Sequence, residues 1–340
     1  MASVILLAFY GRCPPVGAIN EKQHRYLSVF GYRKLLFLLS ALAVLSARAQ
    51  YDASFSHYFA MEPSFNPATV GKQAKLTVTG AYAMDLVGYE HHPKTMYAAA
   101  DLPFRFMGAY HGGGIQFLND QIGLFTHRRL ALQYAFQRRL LGGTLGIGLQ
   151  GGLLNEGFDG TKLQTEDPND PAFASAQLAG SAFDAGLGLY YTHGAWYAGA
   201  SVQHLTSPRV ELNEKNRLQI DPAYYLTGGY NIRLRNPFLS IKPSVLVRTD
   251  GVVYRADVTG RLVYTHETRT VYGGVSYSPT NSLTFLLGGS FHGIILGYSY
   301  ELYTSAINPG NGSHGLFVSY QTDINIVKKG RNSHKSVRIL

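Results

Sequence analysis

The stretch VYRADVTGRLVYT, residues 253–265, decides the fold. Arg255, Asp257, Thr259 and Arg261 fall on one parity, and Tyr254, Ala256, Val258, Gly260, Leu262 and Tyr264 on the other. A period of two is a β-strand with one polar and one apolar face. A soluble sandwich would bury the apolar face in a core. A membrane barrel would turn it to lipid and keep the charges in a wet lumen. The tyrosines favour the barrel. Tyr254 and Tyr264 are ten residues apart, about 33 Å along a strand that rises about 3.3 Å per residue. At a tilt of about 40° that is a height of about 25 Å, the apolar band between the aromatic girdles of a transmembrane barrel.

Thirteen further segments read as strands, making fourteen: 74–84, 95–102, 112–119, 127–138, 143–154, 182–192, 195–205, 223–234, 239–249, 253–265, 269–278, 282–292, 294–303 and 314–323. Many approach the ~9–11 residues a tilted membrane strand needs and exceed the ~5–6 usual in soluble sheets. In RRLALQYAFQR, Leu130, Leu132, Tyr134 and Phe136 oppose Arg129, Gln133 and Gln137. In AYYLTGGYNIRL, Leu226, Tyr230, Ile232 and Leu234 oppose Thr227, Asn231 and Arg233. In LSIKPSVLVRT, Ile241, Val245 and Val247 oppose Ser240, Lys242, Ser244 and Arg248. Pro243 has no N–H to give a ladder, so a bulge or a ladder defect is expected there. GTLGIGLQGGL has glycine on both faces, which lets a wall curve or a plug approach closely.

The connections test this reading independently. If the first strand starts in the periplasm, LLGG, HGA, NP, THE and HG are short periplasmic turns. The links on the other side include the two longest, 155–181 and 206–222, together with LVGYEHHPKT and TSAINPGNGSH. Short turns on one side and long loops on the other are the outer-membrane pattern. One miscounted strand breaks the alternation. Twelve strands follow instead if two segments fold inward or form loop hairpins. The expected fold is therefore all-β, a transmembrane antiparallel β-barrel of about fourteen strands with an N-terminal periplasmic or plug segment.

Arg33 and Lys34 precede LLFLLSALAVLSARA, an apolar run ending in Ala47-Arg48-Ala49. A basic end, an apolar run and a small-residue site make a signal peptide cut before Gln50. This divides the chain into 1–49 (extension and signal peptide), 50–73 (periplasmic or plug segment), 74–326 (barrel) and 327–340 (basic tail). The net charge of +9 sits mostly in the leader and the tail, so nucleic acid is not an expected partner. The single cysteine, Cys13, lies in the leader. The exported chain is expected to have neither disulfides nor thiol ligands.

The chemical motifs are weak. Gly146 to Gly151 matches G-x-G-x-x-G, but it lies inside an alternating strand with no helix after it to receive a pyrophosphate. Adjacent strand residues such as His91 and His92 point opposite ways, so they do not make a metal pair. EDPNDP, residues 166–171, lacks the spacing of a calcium loop. No nucleophile elbow or H-E-x-x-H is present. No enzymatic activity, cofactor or metal is expected.

Several strings carry a resemblance. They are YDASFSHYFAMEPSFNPATVG at the mature start, then VGYEHHPKTMYAAADLPF, GGGIQFLNDQIGLF, DPAFASA, YYLTGGYNI and LGYSYELYTSAINPGNGSHGLFVSY. Together, over about residues 51–320, they resemble the PorP/SprF family of outer-membrane proteins of the type IX secretion and gliding machinery. The family pattern D-P-x-F-S-x-Y then N-P-A-x-x-G falls on Asp52, Phe55, Ser56, Tyr58, Asn66, Pro67, Ala68 and Gly71, with Ala53 where the family has proline. The chain also runs past Tyr320, where the family's last strand commonly ends on an aromatic residue. The resemblance implies a non-enzymatic outer-membrane barrel that works with periplasmic and outer-membrane secretion subunits, in some paralogues for the C-terminal domain of a secreted adhesin. It makes the motif residues candidates for docking those partners. Outer-membrane lipid is an expected partner as well. The alternative is a passive porin or hydrophobic-solute transporter. Arg255, Asp257 and Arg261 are expected to face the lumen, which is compatible with a channel and equally with salt bridges in a closed, plugged barrel. Strand parity puts 155–181 outside the cell, so an epitope inserted at Asn169 should be labelled on intact cells; labelling only after permeabilisation would invert this topology.

Overall fold

The computed structural model describes residues 52–162, 177–213, 216–279, 281–305 and 311–324. Asn169, EDPNDP, the leader 1–49 and the tail 327–340 lie outside them. The strands are β1 (Lys75–Met84), β2 (Lys94–Phe106), β3 (Ala109–Ile122), β4 (Phe125–Leu140), β5 (Gly143–Asp159), β6 (Gln177–His193), β7 (Trp196–Gln203), β8 (Arg209–Glu211), β9 (Arg217–Gln219), β10 (Ala223–Tyr230), β11 (Ile232–Arg233), β12 (Leu239–Thr249), β13 (Tyr254–His266), β14 (Arg269–Ser278), β15 (Ser282–Phe291), β16 (Ile294–Tyr303) and β17 (Ser313–Asp323). Each wall strand pairs antiparallel with its sequence neighbours, β10 pairs β12, and β1 pairs β17. The result is a closed barrel of fourteen strands, in which β11 only continues β10 and β8–β9 is a separate hairpin. Closure leaves no sheet edge, the condition for crossing lipid with strands.

The barrel is inside-out. Along β13, Tyr254, Val258, Leu262 and Tyr264 are 79%, 52%, 51% and 46% exposed, while Asp257, Thr259 and Val263 are 8%, 1% and 3% exposed. The same exposed apolar parity runs through Leu130, Leu132 and Tyr134 of β4 and through Ile147, Leu149 and Leu153 of β5. In water such a belt would aggregate; in lipid it is the solvated face. Among the described residues no helix is long and apolar enough to cross a membrane.

The two ends differ. At one end β2–β3, β4–β5 and β15–β16 join through Met107-Gly108, Leu141-Gly142 and His292-Gly293, with both residues of each pair at positive φ. That is the tight hairpin turn whose twist matches the strands. This is the turn end. The opposite, loop end carries the longer links. The loop after β5 is shorter than the sequence suggests, because β5 runs to Asp159 and β6 begins at Gln177. The link after β7 is folded: its hairpin β8–β9 buries Val210 and, just beyond it, Ile220 against Leu154. At Pro243 the β12–β13 register is unbroken, so there is no bulge. The defect lies on the other side, where pairing of β10 with β12 stops at Gly229↔Ser244 and β11 resumes at Ile232↔Ile241.

Val258→Arg, on the lipid face, should cost about 2–4 kcal/mol if the site is near the bilayer midplane, measured as a loss of heat resistance of the folded band on gels. Spin labels at Val258 and Leu262 should meet oxygen and labels at Asp257 and Arg261 a polar quencher; equal access at all four would sink the inside-out reading.

Candidate functional site

The segment before β1 lies in the lumen. It forms three single-turn 3₁₀ helices, Tyr58–Ala60, Glu62–Ser64 and Pro67–Thr69, and then leads through residues 72–74 to the start of β1. Asn66 caps the third: its Oδ1 accepts from the Ala68 N–H at 3.0 Å, and Pro67 occupies the first helical position. Both choices suit a helix start, since asparagine satisfies an orphan N–H and proline lacks one. Gly71 closes the segment at φ +65°, where a side chain would be strained and a Cβ would press into Gly112 and Pro103.

The wall is shaped to receive this plug. A Cβ on Gly112 would collide with the Val70 carbonyl, one on Gly148 with the Ala68 backbone, and one on Gly188 with Asn66 Oδ1. Gly148 belongs to the G-x-G-x-x-G string, so that string is a seat for backbone.

The wall also supplies the donors that the plug's carbonyls need. Gln133 Nε2 donates to Pro63 O at 2.7 Å and Arg129 Nη2 to Ser64 O at 3.2 Å. Ser201 Oγ and Gln203 Nε2 both donate to Phe65 O, at 2.7 and 2.8 Å, and Gln137 Nε2 donates to Val70 O at 3.2 Å. In return Asn66 Nδ2 donates to Leu189 O at 3.0 Å, and Asp101 Oδ2 accepts the Gly71 N–H at 2.9 Å. Gln116 and Gln133 both donate to Gln150, which donates to Gln203, each at 2.8 Å. This amide chain crosses β3, β4, β5 and β7 and ends on the plug. Its sequence signal is glutamine at successive lumen positions.

The motif residues are anchors. Tyr58 is buried, with its hydroxyl 2.9 Å from Ser244 Oγ. Phe65 stacks on Tyr225 at 5.6 Å, and Phe55 lies 5.6 Å from the ring of Tyr97. Tyr58, Asn66, Pro67 and Gly71 are buried in the lumen, while Asp52, Phe55 and Ser56 are half-buried. The part of the plug segment open to solvent is Lys72, Gln73 and Ala74 at the turn end.

Asp52 fastens the other end. Its carboxylate accepts from Tyr225 Oη, lies 3.0 Å from His204 Nε2 and lies 3.9 Å from Arg129 Nη1. His204 Nδ1 is in turn 3.1 Å from Asp184. Burial works against charge on Asp52, but His204 and Arg129 outweigh it and hold the carboxyl well below the usual carboxylate range. Burial also works against charge on His204, but Asp52 and Asp184 raise it from 6.5 to about 9. Of the lumen-facing charges read from the sequence, Arg255 bonds Asp257 at 3.0 Å and Glu301 at 2.9 Å. Arg261 stands apart from them, its guanidinium 3.4 Å above the ring of Phe59.

Below the plug, at the turn end, lies a cavity of about 650 Å³ with a neighbouring lobe of about 290 Å³; Phe59, Glu62, Lys72, Gln73, Lys242 and Arg261 line both. The cavities described near the loop end, beside Phe55 and Ser56, are only about 20 and 10 Å³. Among the described residues no cluster of three His, Cys, Asp or Glu could hold a metal.

A family model described as type IX secretion system membrane protein PorP/SprF matches residues 47–320. No curated protein matches. Among solved structures, the CymD monoaromatic hydrocarbon channel aligns at 12% identity and a TM-score of 0.45, covering 76% of this chain and 91% of its own. The Pseudomonas putida toluene transporter TodX aligns at 10% identity and a TM-score of 0.42, covering 84% and 97%.

Two outcomes test the seat. Gly188→Ala should leave the barrel folded but unseat the plug, read as faster proteolysis within residues 52–71 and an unchanged heat-resistant band. The second concerns pH. Because the pKa of His204 is raised, its contribution is complete below about pH 6.5 and is lost as pH rises through about 9. Asp52 is lowered, so its contribution is complete above about pH 4 and is lost progressively as pH falls below that. The plug should therefore be cut faster at pH 10 than at pH 6, and His204→Gln should flatten that difference.

Proposed function

Since this chain belongs to the PorP/SprF family of type IX secretion system membrane proteins, we propose that it supports export or surface attachment of secreted proteins, adhesins among them, as a plugged scaffold in the outer membrane. The protein is an outer-membrane β-barrel, and its family is that of a secretion component, not of a known enzyme class. The observation that carries the reading is the plug. A passive pore needs a continuous lumen, whereas residues 52–71 cross this one and are held by hydrogen bonds from β4 and β7. A partner approaching from the turn end meets Lys72, Gln73 and the cavity beside them. In this reading the motif residues Asp52, Phe55, Ser56, Tyr58, Asn66, Pro67 and Gly71 hold that surface in shape, and the partners are periplasmic and outer-membrane secretion subunits together with an adhesin's C-terminal domain.

Pull-down of the protein from envelope extracts should recover such subunits, while the purified protein in planar bilayers should conduct little. Steady conductance of wild-type protein with no recovered partner would favour a porin. Phe55→Ala combined with Tyr58→Ala should keep the barrel assembled while secretion and partner recovery fall.

A further inference from the structure

Several lumen cations of this barrel have acids beside them. Arg255 lies between Asp257 and Glu301, Arg129 reaches Asp52, and Lys72 pairs with Glu62. Lys242 and Arg261 differ. They face each other directly in the β12–β13 register, both on the lumen parity, as Arg248 and Arg255 also do, but the latter pair has Asp257 and Glu301 beside it. Neither forms an ion pair with a described residue, and Arg261 Nε has no hydrogen-bond partner among them. Like charges directly opposite on a sheet are destabilising, so the barrel keeps a local defect here. Two more defects coincide with it: the gap in the β10–β12 ladder beside Pro243, and Asn231 Oδ1, which is buried without a partner. All of these residues line the 650 Å³ cavity. A site whose sheet is left charged, gapped and unsatisfied at one spot is built for something that completes it.

The lining indicates what completes it. The cavity falls in the range of about 300–1,000 Å³ typical of ligand sites and far exceeds one small ion. Tyr110, Tyr190, Tyr197, Tyr230 and Phe59 give it aromatic walls, and Gln137 and Asn231 give it amides. The occupant therefore carries anionic groups on a larger, partly apolar body. Lipid headgroups are poor candidates, because the cations lie on the lumen parity and lipid contacts the other. The chain's own tail is repelled: residues 327–340 hold Lys328, Lys329, Arg331, Lys335 and Arg338 and no acidic side chain. We propose that the turn-end cavity binds an acidic segment of a partner polypeptide, with Lys242 and Arg261 taking its carboxylates and the tyrosines its apolar surface. This rests on the secretion reading above, and it names the chemistry of the partner segment.

The test uses the full-length protein in detergent, with a hexaglutamate peptide and inorganic phosphate as probes. Hexaglutamate should bind saturably. Lys242→Gln with Arg261→Gln should weaken it by at least about tenfold, the loss expected for charge-assisted hydrogen bonds, and removing residues 327–340 should change nothing. Phosphate at equal concentration should not displace the peptide. No binding, equal binding by the double variant, displacement by phosphate or loss on tail removal would each overturn the proposal, phosphate displacement by showing a site for small anions only. Without ligand, Lys242→Gln should be at least as heat-resistant as wild type, because it relieves a like-charge pair; a loss of heat resistance would show the lysine to be structurally paired and overturn the proposal as well. Peptide binding is read on purified protein and partner recovery on envelopes, so failure of the acidic site and failure of the secretion role are distinguishable.

Discussion

A polypeptide laid inside a barrel gives up the water on its backbone, and every carbonyl it buries must find a donor in the wall. A buried carbonyl left without one costs about 1–3 kcal/mol, whereas one that is satisfied contributes about 1 kcal/mol net. The rest of this structure follows from that asymmetry. The plug carbonyls at Pro63, Ser64, Phe65 and Val70 each meet a side-chain donor from β4 or β7. Those donors are long enough to reach only because Gly112, Gly148 and Gly188 let the plug come into contact with the wall. Glycine and glutamine at lumen positions are two halves of one device: one sets the distance and the other supplies the bonds.

The same requirement explains how the charges are arranged. Near the loop end, buried acids and cations are placed within a few ångströms of one another, as in Asp52–His204–Asp184 and Arg255–Asp257–Glu301. A buried charge is tolerable only when paired, and this half of the lumen is both charged and tightly filled. At the turn end Lys72 pairs with Glu62, but Lys242 and Arg261 lie side by side on neighbouring strands beside a wide cavity, with no ion pair to a described residue, and the ladder next to them is open. The exception lies where a solute or a partner chain has room to enter.

The short family motif acquires a physical account from the same geometry. Asn66 caps a helical turn, Pro67 begins it, Ala68 is small because Gly148 lies against it, and Gly71 holds a positive φ at the exit. The D-x-x-F-S-x-Y part sets an ionic anchor and two rings, Phe55 and Tyr58, against the wall. These identities suit the seating of the plug.

The sequence by itself determined the strands and their faces, and narrowed their number to fourteen or twelve. A period of two is a local property, written residue by residue as in 253–265, and alternating short and long links count the strands. The wall also declared its solvent, since apolar residues on one face and charges on the other leave no other place for water. What the sequence left open was whether residues 52–71 face the periplasm or fill the lumen, because donors such as Gln133, Ser201 and Gln203 lie far along the chain from the carbonyls they serve. The hairpin over the loop end was hidden for the same reason: Val210 and Ile220 are buried against Leu154, which is remote in sequence. Nor could spacing show that Lys242 and Arg261 meet without an acid between them. Register between strands, closure of the barrel and the path of the plug are long-range facts, and only tertiary structure brings together the groups whose pairing, or lack of it, defines the site.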